Sequence, residues 1–405
     1  MIKDGFWPEE KQFSKPARES SIALCGACGL HKHCKSPKMA HTGQGRKKVL
    51  FIAEAPGETE DQRNTQLIGQ AGQFLRKHLK RLDVNLDTDC WKTNAVICRP
   101  PNNEKPSDTM VAACRANILA TIRKTHPHII VLLGESACRS VLPLMWNGDP
   151  TPVGRWVGWT IPNRRFNAWI CPTYHPSYVI RTFDTALESI FHRHLQKFME
   201  LQGRPYAGKP PKEESLVECI YRPHKAAKLI QDIAQGKGPA AFDYETTCLK
   251  PDWGADAKIV SASICWGHDK VAAFPFTGDV PEAMREFLRC ARPKIASNLK
   301  FEERWSISKL RTRVRCWYWD TMQAAHVLDF RKNITSIKFQ AFVLLGVEPW
   351  NDTIKPFIES KGTSHFNRMA HAPLNELLVY NGLDSLLEYR TAKIQIKAMR
   401  EKYKE

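Results

Sequence analysis

FDYETTCL, Phe242 to Leu249, follows the apolar start of a strand and supplies two carboxylates, Asp243 and Glu245. Side chains at positions i and i+2 lie on one face of a β-strand, so both carboxylates point to the same place. Paired carboxylates are typical ligands of hard divalent cations such as Mg²⁺ and Mn²⁺. A DxE pair alone is also typical of a solvated strand end, so its meaning depends on the sequence that follows.

Three segments downstream complete a pattern of acidic and aromatic residues: SNLKFEERW (297–305), WDTMQAAHVLD (319–329) and VYNGLDSLLEYR (379–390). In the last segment Tyr380 and Asp384 are four residues apart and therefore share one helix face. Together with the DxE pair, these segments resemble the proofreading exonuclease domain of family A DNA polymerases, which belongs to the DEDD superfamily and carries a tyrosine in its last motif. The resemblance covers about residues 216–400.

This resemblance implies a 3′→5′ exonuclease that uses two Mg²⁺ or Mn²⁺ ions. Asp243 would bridge the two ions, Glu245 and Asp384 would complete the first site, and Tyr380 would orient the attacking water. The chemistry suits such a site, because one ion activates water and the other stabilises the leaving oxygen.

The second motif departs from the family at one position. Glu302 stands where the family has aspartate, so the carboxylate reaches one methylene further and the second metal ion would bind differently or more weakly. Of the other substrate-site residues, Asn298 is expected to shape the loop, and Leu249 matches an apolar side chain that the family places against the terminal base. Asp320 also matches the pattern but is expected to be structural.

The N-terminal half carries cysteines with ligand-like spacing. Cys25 and Cys28 form a CxxC pair, and Cys98 and Cys114 follow sixteen residues apart. Four thiolates suit either zinc or a [4Fe–4S] cluster. Cys34 adds an alternative, a short zinc knuckle formed by the first three cysteines and a histidine, and spacing alone does not choose between these sites.

The sequence around the cysteines favours one alternative. The segments VLFIAEAPGETEDQ (49–62), GQAGQFL (69–75), TNAVICRPPNNEKP (93–106), HPHIIVLLG (126–134) and PTYHPSYVIR (172–181) occur in the order of the family 4 uracil-DNA glycosylases. The resemblance covers about residues 22–200. It implies a [4Fe–4S] cluster on Cys25, Cys28, Cys98 and Cys114.

The same resemblance assigns roles in base excision. Asn94 would hydrogen-bond the uracil edge, His175 would donate to the base oxygen on which charge develops, and the Glu54–Gly57 loop would position water and the sugar. The family pattern GxPFVGxAG is altered here, because Leu67 replaces the aromatic ring that stacks on uracil and Ala53 replaces a glycine. Since such stacking contributes ~1–3 kcal/mol per base, the substitution predicts weakened excision.

Apolar periodicity divides the chain into two domains around a Pro-rich and charged linker. We expect an N-terminal extension (1–21), a three-layer α/β/α uracil-DNA-glycosylase-like domain with a parallel sheet (22–200), a linker (201–215) and an RNase H-like exonuclease domain with a mixed sheet (216–405). Helices are predicted near 69–82, 107–124 and 225–235. Strands are predicted at 49–53, 91–97, 129–133, 240–244, 259–266 and 271–276.

Composition bears on partners and location. The net charge of +18 is spread over both halves, since residues 1–205 contain 29 basic and 18 acidic side chains and residues 206–405 contain 31 and 24. A basic folded chain with 12 Trp suits DNA, as a single strand, a 3′ end or a uracil-containing strand. No secretory or membrane segment is visible, so we expect a cytoplasmic protein of a bacterial or phage-infected cell.

Three functions remain open at this stage. The chain could be an exonuclease whose first domain binds DNA and excises uracil. Alternatively, it could be the proofreading subunit of a separate DNA polymerase, with an inactive glycosylase-like domain as scaffold or uracil sensor. A non-catalytic DNA-binding module would require both sites to be inactive.

Overall fold

The computed structural model describes residues 25–203, 212–350, 352–359 and 365–403. Contacts within the chain divide it into two compact units near residue 209, and each unit is described by itself. The predicted N-terminal extension and most of the predicted linker lie outside the described residues. Residues 213–216 form a short 3-10 helix in which Glu213 pairs with Arg390 of the second unit, at 3.3 Å. Within these ranges no helix combines the length and apolarity needed to cross a membrane.

The N-terminal unit is a five-stranded sheet flanked by helices, with strand order β2-β1-β3-β5-β4. Only β4 runs antiparallel to its neighbour. Its strands are β1 Val49–Ala53, β2 Cys90–Asn94, β3 Ile129–Leu133, β4 Ile161–Asn163 and β5 Ala168–Thr173. Its helices are α1 Glu58–Arg63, α2 Gln70–Lys80, α3 Asp108–Thr125, α4 Glu135–Val141, α5 Pro176–Thr182 and α6 Thr185–Met199.

The central strands of this sheet are apolar throughout, because helices cover both faces. All residues of β1 and β3 are buried, as expected for parallel strands in a three-layer domain. Alternate residues such as Phe51 and Val131 pack against Leu75 of α2 and Leu195 of α6. This architecture confirms the predicted α/β/α fold. The carboxyl ends of β1, β2, β3 and β5 meet at one edge, where parallel sheets commonly place their ligands.

The C-terminal unit is a six-stranded mixed sheet with strand order β11-β10-β7-β8-β9-β6. The β7-β8-β9 meander is antiparallel, whereas β10, β11 and β6 join in parallel. Its strands are β6 Val217–Cys219, β7 Ala240–Thr246, β8 Ile259–Gly267, β9 Lys270–Pro275, β10 Lys294–Ala296 and β11 Trp317–Asp320. Its helices are α7 Pro223–Gln235, α8 Val280–Arg289, α9 Leu299–Leu310, α10 Thr321–Leu328, α11 Ile337–Leu345, α12 Lys355–Ile358 and α13 Leu374–Tyr403.

The alternation of β7 separates its core residues from its carboxylates. Phe242 and Tyr244 are buried on one face, in the apolar cluster formed with α7 and α8. Asp243 and Glu245 point to the other face, toward α13, which packs across the sheet. The predicted mixed sheet is confirmed.

Candidate active sites and metal centre

The C-terminal unit brings three carboxylates together at the end of β7. One oxygen atom from each of Asp243, Glu245 and Asp384 lies within 4.8 Å of the others. Asp243 and Glu245 come from β7, and Asp384 comes from α13 one turn after Tyr380. Oxygen ligands at this spacing fit a hard divalent cation, so the residues present suit Mg²⁺ or Mn²⁺.

Without a bound cation, ionising these buried and neighbouring carboxylates costs free energy. Burial, followed by the charge of Asp384, raises the pKa of Asp243 well above its usual range. Burial and the charge of Asp243 do the same to the pKa of Glu245. Burial also raises the pKa of Asp384. Divalent cations bound by these oxygens would favour the ionised forms, because opposite charge offsets desolvation.

Lys338 of α11 is a basic group at this site that the sequence analysis missed. Its Nζ donates to the Tyr380 hydroxyl at 2.9 Å and to Asp384 Oδ1 at 3.4 Å. The ammonium also lies over the Trp350 ring, 4.9 Å from the ring centre. Lys338 therefore balances part of the negative charge and fixes the position of the Tyr380 hydroxyl beside the carboxylates.

Asn381 holds in place Asp243, the residue that is expected to bridge the two metal ions. Its Nδ2 donates to Asp243 Oδ2 at 2.6 Å, and its Oδ1 accepts a hydrogen bond from Ser261 Oγ at 3.0 Å. The Ser263 hydroxyl donates to the Asn381 backbone carbonyl at 2.8 Å. All of these partners except Asp243 are fully buried, so the amide is fixed in one orientation and leaves one carboxylate oxygen of Asp243 for other ligands.

The second-motif residues occupy the neighbouring helix α9. Glu302 is buried and its Oε2 has no hydrogen-bond partner, but it lies outside the compact group of three carboxylates. Asn298 begins α9 with left-handed backbone angles, φ 65° and ψ 54°, which asparagine tolerates better than most residues. Asp320 accepts from the backbone N–H groups of Asn298 and Leu299 and caps α10. Leu249 is 72% exposed beyond the end of β7.

Glu388 is a further buried acid that the sequence analysis missed. It follows Asp384 by one turn of α13, and its Oε2 has no hydrogen-bond partner. Burial, then the charges of Asp243 and Glu302, raises its pKa well above the usual range. Extending the four-residue spacing from Tyr380 through Asp384 would have pointed to it.

The glycosylase-like candidates in the N-terminal unit line a single cavity of about 970 Å³. Glu54 follows β1, Asn94 ends β2 and His175 follows β5. All three residues therefore lie at the sheet edge where the parallel strands end. Gly134 after β3 completes this edge. A side chain there would place its Cβ 2.8 Å from the Cβ of His175, so the close approach requires glycine.

Hydrogen bonds fix the tautomer of His175. Its Nδ1 accepts the backbone N–H of Ser177 at 3.2 Å, so the neutral ring carries its proton on Nε2. Burial lowers the pKa of His175, and the Glu54 carboxylate offsets part of that effect. The ring is therefore a neutral donor near pH 7. Glu54 is held by the Ser136 hydroxyl, which donates to its Oε2 at 2.8 Å.

Asn94 is hydrogen-bonded to Gln66, the residue that precedes Leu67. Its Nδ2 donates to Gln66 Oε1, and both side chains are buried. Gln66 Nε2 in turn donates to the backbone carbonyl of Ala40 at 3.2 Å. This chain of donors fixes both amides and directs Asn94 Oδ1 away from Gln66.

Leu67, which replaces the stacking ring, is 4% exposed and has a left-handed backbone, φ 52°. It packs into the domain core while lining the cavity. Two tyrosines provide an aromatic surface elsewhere in the cavity. The rings of Tyr174 and Tyr178 are stacked with centres 5.9 Å apart, and Tyr178 is 47% exposed.

Three of the four ligand-spaced cysteines, Cys28, Cys98 and Cys114, lie in one apolar cluster. Cys98 and Cys114 are buried there, with Cys28 and Cys34 packed against them. Asn117 Nδ2 lies 3.6 Å from Cys114 Sγ and 3.9 Å from Cys25 Sγ, so these two thiols are also neighbours.

The surroundings of the cysteines fit a cluster of thiolates. The backbone N–H of Lys38 donates to Cys98 Sγ at 3.2 Å, and that of Ile97 donates to Cys114 Sγ at 3.4 Å. Burial raises the pKa of Cys98 to about 12, because an ionised thiol is unfavourable away from water. The positive charge of bound iron would offset this cost of ionisation.

Three comparisons place the two units among known proteins. The family model "Uracil DNA glycosylase superfamily" matches residues 40–198. The type-4 uracil-DNA glycosylase of Pyrobaculum aerophilum is 35% identical over 181 residues, covering 44% of this chain and 89% of that protein. The DNA polymerase of Bacillus phage SP01 is 23% identical over 326 residues, covering 71% of this chain and 33% of the polymerase. Because 71% of this chain is more than either domain alone, the similarity to the phage polymerase extends into both domains.

Among solved structures, Escherichia coli RNase D is similar over a region that covers 46% of this chain and 45% of the RNase D chain. The TM-score is 0.35 and the sequence identity is 11%. The type-4 glycosylase resemblance is confirmed by the curated relatives. The similarity to the phage polymerase agrees with the polymerase-type resemblance of residues 216–400.

Proposed function

The chain belongs, through its N-terminal domain, to the type-4 uracil-DNA glycosylases, and from this premise we propose that it is a DNA-processing enzyme whose C-terminal domain is a 3′→5′ exodeoxyribonuclease. The observation that carries the exonuclease proposal is the convergence of Asp243, Glu245 and Asp384 within 4.8 Å. The basic charge of the chain suits a DNA substrate.

Each residue of the carboxylate site has a defined task in phosphodiester hydrolysis. Asp243, Glu245 and Asp384 would hold two divalent cations, with Glu302 at the second. When bound, the cations activate water and stabilise the leaving 3′ oxygen. The Tyr380 hydroxyl, fixed by Lys338, orients the attacking water. The water would give a proton to solvent as its oxygen bonds to phosphorus. The bond from phosphorus to the 3′ oxygen would break, that oxygen would take up a proton from solvent, and a nucleoside 5′-monophosphate would be released.

A 5′-labelled single-stranded oligonucleotide tests this proposal. With Mg²⁺ or Mn²⁺ the protein should shorten the strand from its 3′ end, and Asp243→Asn should slow cutting roughly 1000-fold, because several kcal/mol of stabilisation depend on the bound metal. Asp256→Asn, which removes an exposed carboxylate of the same domain, is the matched control. Undiminished cutting by Asp243→Asn would contradict the site assignment.

The N-terminal cavity supports uracil excision as a second activity. A flipped base would enter the cavity, Asn94 would read its edge, and the Nε2–H of His175 would stabilise charge on the base oxygen. The neutral tautomer of His175 is the observation that favours this activity. A uracil-containing strand treated with the protein and then with alkali should break at uracil, and His175→Leu should prevent the break. Intact strands with the unmodified protein would leave this domain as a DNA-binding scaffold or uracil sensor.

Cys25, Cys28, Cys98 and Cys114 would hold a [4Fe–4S] cluster, which ties the segment before β1 to α3. Protein purified without air should absorb at about 400 nm, the region of sulfur-to-iron charge transfer. Cys114→Ser should remove this absorbance. Stoichiometric zinc without iron would support the zinc alternative.

A role beside a polymerase is a second candidate, favoured by the similarity of both domains to one part of a phage DNA polymerase. On this proposal the chain supplies proofreading to a polymerase active site. Tagged protein from the native source should co-purify with polymerase activity. Recovery of the chain free of such activity would count against this role without affecting the exonuclease proposal.

A further inference from the structure

A buried lysine of the C-terminal unit has a thiol beside its amine. Lys294 begins β10, and its side chain is fully buried. Its Nζ donates to the backbone carbonyl of Cys290 at 2.6 Å and to Cys290 Sγ at 3.5 Å. Among the residues that the structure describes, no carboxylate forms an ion pair with Lys294. Since a fully buried lysine is normally paired with an acid, this amine beside a sulfur atom is an unusual arrangement.

A fixed loop holds the thiol and the amine together. Cys290 ends α8, and three residues separate it from Lys294. Within this loop the side chain of Arg292 is buried, and its Nε donates to the Gly238 carbonyl at 2.9 Å. Its Nη1 donates to the Ile233 carbonyl at the end of α7. The contact between sulfur and nitrogen therefore depends on anchored backbone rather than on two freely moving side chains.

The surroundings favour a reaction between these two groups. Burial lowers the pKa of Lys294, and the neighbouring Cys290 offsets part of this effect. A desolvated lysine has a larger share of neutral amine, whose lone pair can attack an electrophilic atom. Cys290 is half-buried, so a small oxidant can reach its sulfur. Oxidation of this sulfur would make it the electrophile that lies next to the amine.

We propose that Cys290 and Lys294 form a redox modification site, at which hydrogen peroxide as the oxidant leads to a covalent bond between Cys290 Sγ and Lys294 Nζ. First, the thiol sulfur takes one oxygen from the peroxide and becomes a sulfenic acid, and one water leaves. The Lys294 lone pair then attacks this sulfur and the sulfur–oxygen bond breaks. The hydroxyl leaves as a second water with one proton from the nitrogen. The sulfur is oxidised and the peroxide is reduced.

This site is separate from both activities proposed above. Lys294 pairs with Ala240 at the start of β7, whereas Glu245 lies near the other end of that strand. The bond would join the end of α8 to β10 without using a residue of the carboxylate site. Its test therefore does not depend on cutting of DNA or excision of uracil.

Peptide mapping of the full-length protein tests the bond directly. Trypsin cleaves after an unmodified lysine, so a bond to Nζ blocks cleavage after Lys294. After brief treatment with hydrogen peroxide and digestion without reductant, the peptide of residues 290–300 should appear uncleaved. Its mass should be lower by two hydrogen atoms than that of the same peptide with free side chains. Dithiothreitol should restore the cleavage, because thiols reduce bonds to oxidised sulfur.

Two serine variants identify the sulfur that reacts. Cys290→Ser should abolish the uncleaved peptide. Cys316→Ser is the matched control, because Cys316 is an exposed thiol whose backbone carbonyl accepts the Lys294 N–H at 2.9 Å. The control variant should form the bond as the unmodified protein does. Peptides unchanged by peroxide, a peptide that gains oxygen, or a disulfide between Cys290 and Cys316 would each overturn the proposed bond.

Discussion

Each domain contains a buried side-chain amide beside its candidate site, and the two amides have opposite effects. Asn381 donates to Asp243 and leaves a carboxylate oxygen available for other ligands. Gln66 accepts from Asn94, the residue that is expected to read the base, and so occupies part of the reading group itself. The same chemical group therefore orients a carboxylate at one site and would compete with the proposed base at the other.

The electrostatic demands of the two sites also differ. The carboxylates of the C-terminal site are crowded, so each raises the pKa of its neighbours and the group gains from binding cations. In the N-terminal cavity, His175 is held as a neutral donor and Asn94 is satisfied by Gln66. A buried network that is already satisfied gives up hydrogen bonds when substrate enters. This contrast favours a fully active exonuclease beside a weakened glycosylase.

The strongest test of this contrast removes the supporting amide. Asn381→Ala should reduce exonuclease activity about 10- to 100-fold and raise the Mn²⁺ concentration at half-maximal rate, because residues that orient metal ligands have effects of that size. Metal titrations of the cutting rate measure both changes. Ser385→Ala, which removes a buried hydroxyl bonded within the same helix, is the control. An unchanged metal requirement in a folded Asn381→Ala protein would break the comparison.

The second test removes the Gln66 amide and places an aromatic ring at Leu67. The double variant Gln66→Pro/Leu67→Phe should increase uracil excision about tenfold, since it frees Asn94 and adds an aromatic face. Strand breaks after alkali measure the gain. Gln66→Leu alone separates the two contributions, because it frees Asn94 without adding a ring. No gain in either variant would show that Gln66 and Leu67 are not what limits excision.

The smallest effect is expected at Glu302. Glu302→Asp shortens the carboxylate by one methylene and should change the metal requirement of the exonuclease only a few-fold, because the other three carboxylates are retained. A cutting assay over a range of Mg²⁺ concentrations would show the shift. A loss as large as that of Asp243→Asn would mean that Glu302 is a principal ligand rather than a peripheral one.

The buried strands β1 and β3 could be predicted from the sequence, whereas the six-residue strand β5 and the shortest strands were not predicted. β1 and β3 are continuous apolar runs, and their predicted bounds are those of the structure. β6 and β10 have three residues each, too few for a periodic pattern, so they were not predicted. Such short strands exist because the neighbouring strand offers unpaired backbone groups, which is tertiary information.

The same limit applies to the candidate sites. Motif order led to Asp243, Glu245, Tyr380 and Asp384, and the structure brings these residues together. Their assigned roles stay predictions. Lys338 carries no local signal, because it reaches Tyr380 from a helix 42 residues earlier.

Asn381 and Gln66 are ordinary polar residues in sequence. Their importance lies in their hydrogen bonds to Asp243 and Asn94, and partners that lie 138 and 28 residues away along the chain leave no trace in the local pattern. Only packing reveals them.

The 30-residue helix α13 carries Tyr380, Asn381, Asp384 and Glu388 within nine consecutive positions. Each residue of an α-helix turns the chain by about 100°. A one-residue insertion or deletion between Tyr380 and Asp384 would therefore turn one away from the other, whereas a point substitution affects one group at a time. Every residue from Leu377 to Tyr389 is buried. Over evolutionary time this segment should therefore retain its length, so an insertion within it would mark a lineage in which the proposed nuclease has been lost.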